Sequence, residues 1–413
     1  MSFDLIVRGG LLPDGTQADI AIAAGRIAAV EPGITAEVRE VIDAGGKLVS
    51  PPLIDCHFHM DATLSYGRPR VNASGTLLEG IALWGELKQE QSREDIVARA
   101  LDYCRQAMGK GVLAIRSHVD VTDPGFRTVE ALLEVREAIR GKMDLQLVAF
   151  PQDGWFRAPG AERQVIRALD AGVDIVGGIP HFERTMADGA AAVRAACRIA
   201  AERGLMVDLH CDESDDPLSR HIETLAAETI AFGLQGRVAG SHLASMHSMD
   251  NYYASKLIPL IAEAGVAAIP NPLINITLQG RADTYPKRRG MTRVPELLAA
   301  GVTVAFGQDC VMDPWYPLGS GDMLDVAHMG LHVALMTGTE AMRRCFQMVT
   351  EAPAQVMGLD FGLRVGARGS LIVLDCAGPI DAIRLRPARL AVVSDGKVVA
   401  TTQPARTAAL PFG

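Results

Sequence analysis

Between residues 51 and 336 the sequence alternates between short apolar runs and stretches with helical spacing, and nothing else in the chain restricts the fold as strongly. The runs are PPLIDCHFHMD, VLAIRSHVDV, LQLVAFPQ, VDIVGGIP, LMVDLHCDE, VAGSHLAS, VAAIPNP and VTVAFGQD. Helical spacing of apolar residues covers 76–89, 93–108, 127–140, 161–171, 187–203, 222–232, 253–264, 293–300 and 323–336. Gly111, Gly172, Gly204, Gly265 and Gly301 stand where helices should stop. Nearly continuous apolar strands between helices belong to a parallel sheet covered on its faces. Eight such units close into a (β/α)8 TIM barrel more readily than into an open sheet, so an α/β barrel is expected over 51–364.

The two ends follow a different grammar. Residues 3–50 and the stretches GSLIVLDC and LAVVSDGKVVA read as short strands between turns, with Asp395–Gly396 as a hairpin turn. A small β-sandwich domain built from both termini, 1–50 and 365–413, is expected beside the barrel.

With 413 residues, 48% of them hydrophobic, the chain can fill one large core and a small appendage. The net charge of −9 speaks against a nucleic-acid partner, which wants a basic face. Cys56, Cys104, Cys197, Cys211, Cys310, Cys345 and Cys376 are odd in number and form no CxxC, as expected of reduced thiols. The start, MSFDLIVRGG, lacks the basic and apolar regions of a signal peptide, and no window resembles a membrane span. A cytoplasmic protein with no membrane partner is expected.

In a barrel of this kind chemistry gathers where strands end. His57 and His59 lie two apart at the end of a buried run, so their imidazoles leave one strand face together. Alone, that pair is also compatible with two neighbouring surface histidines. Further strand ends carry His118 and Asp120, Gln152, His181 and Glu183, His210 with Glu213, His242, and Asp309. Six of the ten histidines fall at these ends, although a desolvated strand end has no structural need for them. Three imidazoles and a carboxylate (His57, His59, His210, Asp309) suit one divalent transition metal with an open water position. His242 and Asp309 are placed to hold that water and take its proton, and Glu213 to shuttle a proton to the substrate.

DCHFHMD, DLHCDE, SHLASMHS and GQDCVMDPWYPLG resemble the amidohydrolase superfamily, and more narrowly its bacterial cytosine deaminase branch. AFPQDG, GGIPHFE and NPLINITLQGRADTYPKRRG are similar to that branch too. The resemblance implies hydrolytic deamination at C4 of a free pyrimidine. It implies His57, His59, His210 and Asp309 as metal ligands, Glu213 as acid/base and His242 as the water-positioning group. Gln152 resembles the glutamine that binds the pyrimidine edge and Trp315 a pocket wall; Cys310 and Leu77 complete the expected substrate contacts. One Zn(II) or Fe(II) per subunit and a homo-oligomer follow from the same likeness.

The departure from that branch is informative. Where it carries His-Asp-Asp in the eighth strand, this chain has Gln308, Asp309 and Cys310. A thiol at the C5 edge of the ring admits a methyl group and removes a buried charge, so a preference for 5-methylcytosine over cytosine is expected. The alternatives are cytosine itself, a related heterocycle such as isoguanine, a cyclic amide hydrolase, or an inactive barrel that only binds. The fourth strand lacks the lysine of many binuclear relatives, which disfavours the cyclic amide reading. His118 and Asp120, with Arg116 beside them, read as a supporting ion-pair layer, and His181 with Glu183 as support for the rim. His221, His328 and His332 fall in helical patterns and read as structural, and Lys287, Arg288 and Arg289 as a solvated face or subunit contact.

Overall fold

A computed structural model of the chain describes residues 2–123, 125–405 and 408. The rest of the expected terminal stretch, 406–407 and 409–413, lies outside the described residues. Among the described residues the strands run, in chain order, β1 (Phe3–Leu11), β2 (Gln17–Ala23), β3 (Arg26–Glu31), β4 (Val38–Asp43) and β5 (Leu48–Ser50). Then come β6 (Leu53–Phe58), β7 (Val112–Asp120), β8 (Asp144–Phe150), β9 (Ile175–Gly178) and β10 (Met206–Cys211). The last are β11 (Val238–His242), β12 (Ala267–Ile269), β13 (Leu371–Leu374), β14 (Arg389–Ser394) and β15 (Lys397–Thr401). The chain divides into two compact units, one of 1–52, 108–111 and 360–413, the other of 53–107 and 112–359.

In the larger unit β6 to β12 hydrogen-bond in sequence order. Each neighbouring pair is parallel, from β6 with β7 round to β11 with β12. Every residue of β6 and β7 is buried, which is why these strands read as unbroken apolar runs rather than alternating ones. The helices that cover them include Leu77–Glu90, Arg93–Gly109, Arg127–Ala138, Met186–Arg203 and Asn251–Glu263. No described helix is long and apolar enough to cross a membrane.

The eighth run, VTVAFGQD, is less regular than expected. Its ladder to each neighbour is a single parallel bridge, Ala268 with Val304 on one side and Phe58 with Asp309 on the other. These two bridges join the edges of the seven-stranded sheet and complete the barrel. Gly307 lets this run pack closely on its neighbours: a Cβ there would lie 2.3 Å from Asn271 Oδ1 and 2.6 Å from His57 Cβ, and its N–H donates to the carbonyl of Pro270 (3.2 Å). Asp309 then takes a left-handed backbone, φ +68°, which no regular strand continues. The expected helix over 323–336 stops at Val333, with Leu335 at φ +57°. A further short helix, Pro272–Leu278, lies in a stretch where the sequence showed no helical spacing.

In the smaller unit one sheet runs β15-β14-β13-β5-β1-β2-β3, with β4 added to β1. Alternate residues of β1, β2, β5, β13 and β14 (Val7, Ile22, Val49, Val373, Val393 among them) share one core, so the sheet closes over its own face. Asp395 and Gly396 have φ of +47° and +78° and join β14 to β15 as the two-residue turn the sequence suggested.

Candidate active site

The parallel bridge at the end of β6 creates the core of the site. Asp309 N–H donates to the carbonyl of His57 (2.7 Å), and His59 N–H donates to the carbonyl of Asp309 (3.0 Å). This interleaving sets the Asp309 carboxylate between the two imidazoles: Oδ1 is 3.5 Å from His57 Nε2 and 3.4 Å from His59 Nε2. β10 brings His210 from the other side, with its Nε2 2.9 Å from that of His59. The four donor atoms lie within 4.8 Å of one another, and all four residues are buried.

The hydrogen bonds around His57 decide which of its nitrogens is free. Ser241 has one proton and gives it to Asp208 Oδ1 (2.8 Å), a carboxylate that only accepts. Ser241 Oγ therefore accepts from His57 Nδ1 (2.9 Å), leaving Nε2 as a lone pair with no hydrogen-bond partner. Asp208 is held in turn by Arg116, whose Nη1 lies 2.9 Å away. Burial, then Arg116, pushes the His57 pKa down to about 3, and burial pushes that of His59 down to about 4. The pKa of His210 is lowered well below the usual value by burial. Neutral imidazole is the form that binds a metal. Bonds of about 2.0–2.2 Å to one ion require its donors to lie a few ångströms from one another. The spacings of 2.9, 3.4 and 3.5 Å are of that size, and these groups could hold one divalent metal ion.

Glu213 and His242 stand beside this cluster. Asp212, at φ +56°, turns the chain after β10; its carboxylate caps the helix His221–Ala231 by accepting from the N–H of His221 and Ile222 (3.0 and 2.9 Å). Anchored there, Asp212 leaves Glu213 facing the barrel mouth, with Oε1 3.5 Å from His242 Nδ1. Burial and the charge of Asp309 push the Glu213 pKa well above its ordinary value. His242 ends β11 with φ +68°, and its Nε2 is 3.8 Å from Asp309 Oδ2.

Above the cluster opens a narrow cavity lined by His59, His210, Glu213 and Asp309 together with Leu77, Gln152, Cys310 and Trp315. All four residues expected to touch substrate thus reach it. The Gln152 side-chain amide has no hydrogen bond within the described protein and is available to a ligand. Cys310 packs with Trp315, Tyr316, Ile274 and Leu278; close by, the Asp313 carboxylate accepts from the N–H groups of Trp315 and Tyr316 (both 2.9 Å), and burial pushes its pKa up to about 7. Sequence reasoning missed Ile179, Ile274 and Leu278, which complete the cavity wall, and Ser241 and Asp208, which orient His57. The i, i+2 spacing of Asp208 and His210 was the available signal for the last.

The remaining polar residues support this centre. His118 packs its ring 4.3 Å from that of His57 and 4.5 Å from that of His210. The ion-pair layer differs in its pairing from the expected one. Arg116 meets Asp208, while Asp120 accepts from Lys88 Nζ (3.1 Å) and Trp84 Nε1 (2.8 Å). His181 Nδ1 lies 3.0 Å from the carbonyl of His210. The Glu183 carboxylate gathers the backbone N–H groups of Trp155, Phe156 and Arg157 and ties down the loop after β8. His221 bonds Asp212, and His328 packs on His332. Lys287 and Arg288 staple their own loop, bonding the Gly280 carbonyl and Asp283, while Arg289 is exposed.

A family model described as "Amidohydrolase family" matches residues 40–400. The crystal structure of a 5-methylcytosine deaminase from Klebsiella pneumoniae, liganded with 5-fluorocytosine, superimposes with a TM-score of 0.95 at 39% identity, covering 98% of this chain and 99% of that one. An N-isopropylammelide isopropyl amidohydrolase from Pseudomonas sp. (strain ADP) is 29% identical over 96% of this chain and 97% of its own. A pterin deaminase from Rhizobium rhizogenes is 29% identical over 94% of this chain and 89% of its own.

Proposed function

We propose, from the premise that this chain belongs to the amidohydrolase family and is a hydrolase, that it deaminates a free pyrimidine at C4 and prefers 5-methylcytosine to cytosine. The observation that carries the reading is the composition of one wall: Cys310, next to the ligand Asp309, lies among Trp315, Ile274 and Leu278. A methyl group there meets sulfur and hydrocarbon, where a carboxylate would have to be desolvated. The 39% identity with a 5-methylcytosine deaminase supports the same substrate.

A divalent cation, Zn(II) or Fe(II), one per subunit, held by His57, His59, His210 and Asp309, supplies the Lewis acidity that makes water a nucleophile at neutral pH. The protein's own groups do the rest. Gln152 bonds the pyrimidine edge and Trp315 with Leu77 closes over the ring, fixing C4 near Asp309. As the water oxygen joins C4, Glu213 carries one of its protons to N3. Asp309 takes the second and delivers it to the amino group, which leaves as ammonia, so that 5-methylcytosine and water give thymine. Burial and Asp309 favour the protonated Glu213 carboxyl, which suits a group that must hold a proton and pass it on. All seven cysteines are buried and unpaired, which supports a reducing, cytoplasmic setting; a homo-oligomer belongs to the same reading.

Ammonia release by the metal-loaded protein with cytosine, 5-methylcytosine, 5-fluorocytosine and isoguanine tests this. The reading expects the highest kcat/KM with 5-methylcytosine; a higher value with cytosine removes the preference. Relatives named for N-isopropylammelide and pterin favour a second reading, another amino-substituted heterocycle. Turnover of isoguanine with none of the three pyrimidines would select it.

A further inference from the structure

The helix Pro272–Leu278 carries two buried asparagines against His242, one at each end of a single turn: Asn271 before it and Asn275 within it. Their roles differ. Asn275 Oδ1 accepts the backbone N–H of Asn271 at 3.0 Å. A backbone N–H can only donate, so this bond fixes which end of the Asn275 amide is oxygen. The NH₂ end then points at His242 Nδ1, 3.0 Å away. An amide NH₂ only donates as well, so His242 Nδ1 must be the acceptor, and the ring proton of neutral His242 sits on Nε2. Two other groups approach the same nitrogen. Asn271 Nδ2 lies 3.3 Å from it and 3.4 Å from Nε2, outside good hydrogen-bond range of either; no backbone donor fixes that amide, and its Oδ1 has no partner. Glu213 Oε1 is 3.5 Å from it, beyond hydrogen-bonding reach.

We propose that Asn275 is a positioning residue that locks His242 in the Nε2–H tautomer, so that His242 gives a hydrogen bond to the reacting oxygen instead of taking its proton. His242 Nε2 and Asp309 Oδ2 are 3.8 Å apart, too far for a bond of their own. An oxygen about 2.8 Å from each fits beside that gap, accepting from Nε2–H and giving its proton to Asp309. The left-handed backbone of His242, φ +68°, is a strained conformation for a side-chain-bearing residue and is kept where a side chain must be aimed. Removal of protons then rests on Asp309 and Glu213 alone. This inference rests on the deaminase reading for its chemistry, but not for its tautomer.

The test is the ¹⁵N spectrum of histidine-labelled, zinc-loaded protein, with the His242 resonances assigned by their loss in H242Q. The expected result is a protonated Nε2 and a bare Nδ1. In N275D the carboxylate still accepts from Asn271 N–H but also accepts from the imidazole, so the proton moves to Nδ1. That variant should keep its zinc and its KM while kcat falls about 10- to 100-fold. H242Q, which keeps a donor near the Nε2 position and has no base, should stay at least about tenfold more active than H242A. A proton on Nδ1 in the unmodified protein overturns the proposal, as does H242Q no better than H242A. The spectrum needs no substrate. A wrong tautomer with intact deamination sinks only this inference, and a correct tautomer without deamination sinks only the reaction assigned above.

Discussion

The indole of Trp315 rests directly on Gly80: a Cβ on that residue would stand 2.2 Å from indole Cδ1. The helix Leu77–Glu90 thus forms the seat of the cavity wall, and Gly80 is the position that must stay bare. Alanine in place of glycine gains about 1 kcal/mol of helix propensity, whereas forcing a methyl into a packed contact costs about 1–3 kcal/mol. Gly80→Ala should therefore leave stability nearly unchanged or slightly lower, because Trp315 can swing away. KM should rise several-fold as it does. Urea unfolding and steady-state kinetics read the two effects separately, and an unaltered KM would remove Trp315 from the substrate wall.

Ser241 links His57 to Asp208 through bonds of 2.9 and 2.8 Å. Ser241→Ala leaves His57 Nδ1–H and Asp208 Oδ1 unpaired in the interior, so the ligand loses its fixed orientation. Metal affinity should fall about 10- to 100-fold, measured by competition with a chromophoric chelator. Affinity equal to that of the unmodified protein would mean that the hydroxyl does not orient the ligand.

Arg116 and Asp208 are 1% and 0% exposed and stand 2.9 Å apart. Replacing only the arginine strands a carboxylate in the barrel, so Arg116→Met should destabilise by about 3–5 kcal/mol. Adding Asp208→Leu to it should recover much of that loss, since a buried pair contributes less than the charge left behind when it is broken. Urea denaturation of the two variants decides the point.

Cys310→Asp restores the carboxylate that the cytosine deaminase branch carries at this place. It should lower kcat/KM for 5-methylcytosine far more than for cytosine. A methyl contact is worth about 0.8 kcal/mol, and displacing a hydrated carboxylate adds to that. Equal losses on both bases would mean that Cys310 does not face C5.

The barrel was legible because its strands are buried on both faces and its helices end on glycine, two signals that survive without neighbours in view. His57, His59, His210 and Asp309 were legible because an imidazole or carboxylate at the end of an apolar strand has no other reason to be there. Pro272–Leu278 was not: seven residues with isoleucine, asparagine and threonine carry weak helix propensity, and tertiary packing under His242 holds them. VTVAFGQD read as a full strand because its residues are apolar, but its pairing depends on β6 and β12, far away in sequence, and comes down to one bridge on each side. The pairing of Arg116 with Asp208 rather than Asp120 is likewise a matter of three-dimensional reach, since Asp120 is already held by Lys88 and Trp84.

Anomalous diffraction from crystals grown with zinc or iron examines the centre of this account most directly. It should give a single strong peak per chain, about 2.0–2.2 Å from His57 Nε2, His59 Nε2, a His210 ring nitrogen and an Asp309 oxygen. A peak bound elsewhere, or none at that point in protein that deaminates, would contradict it.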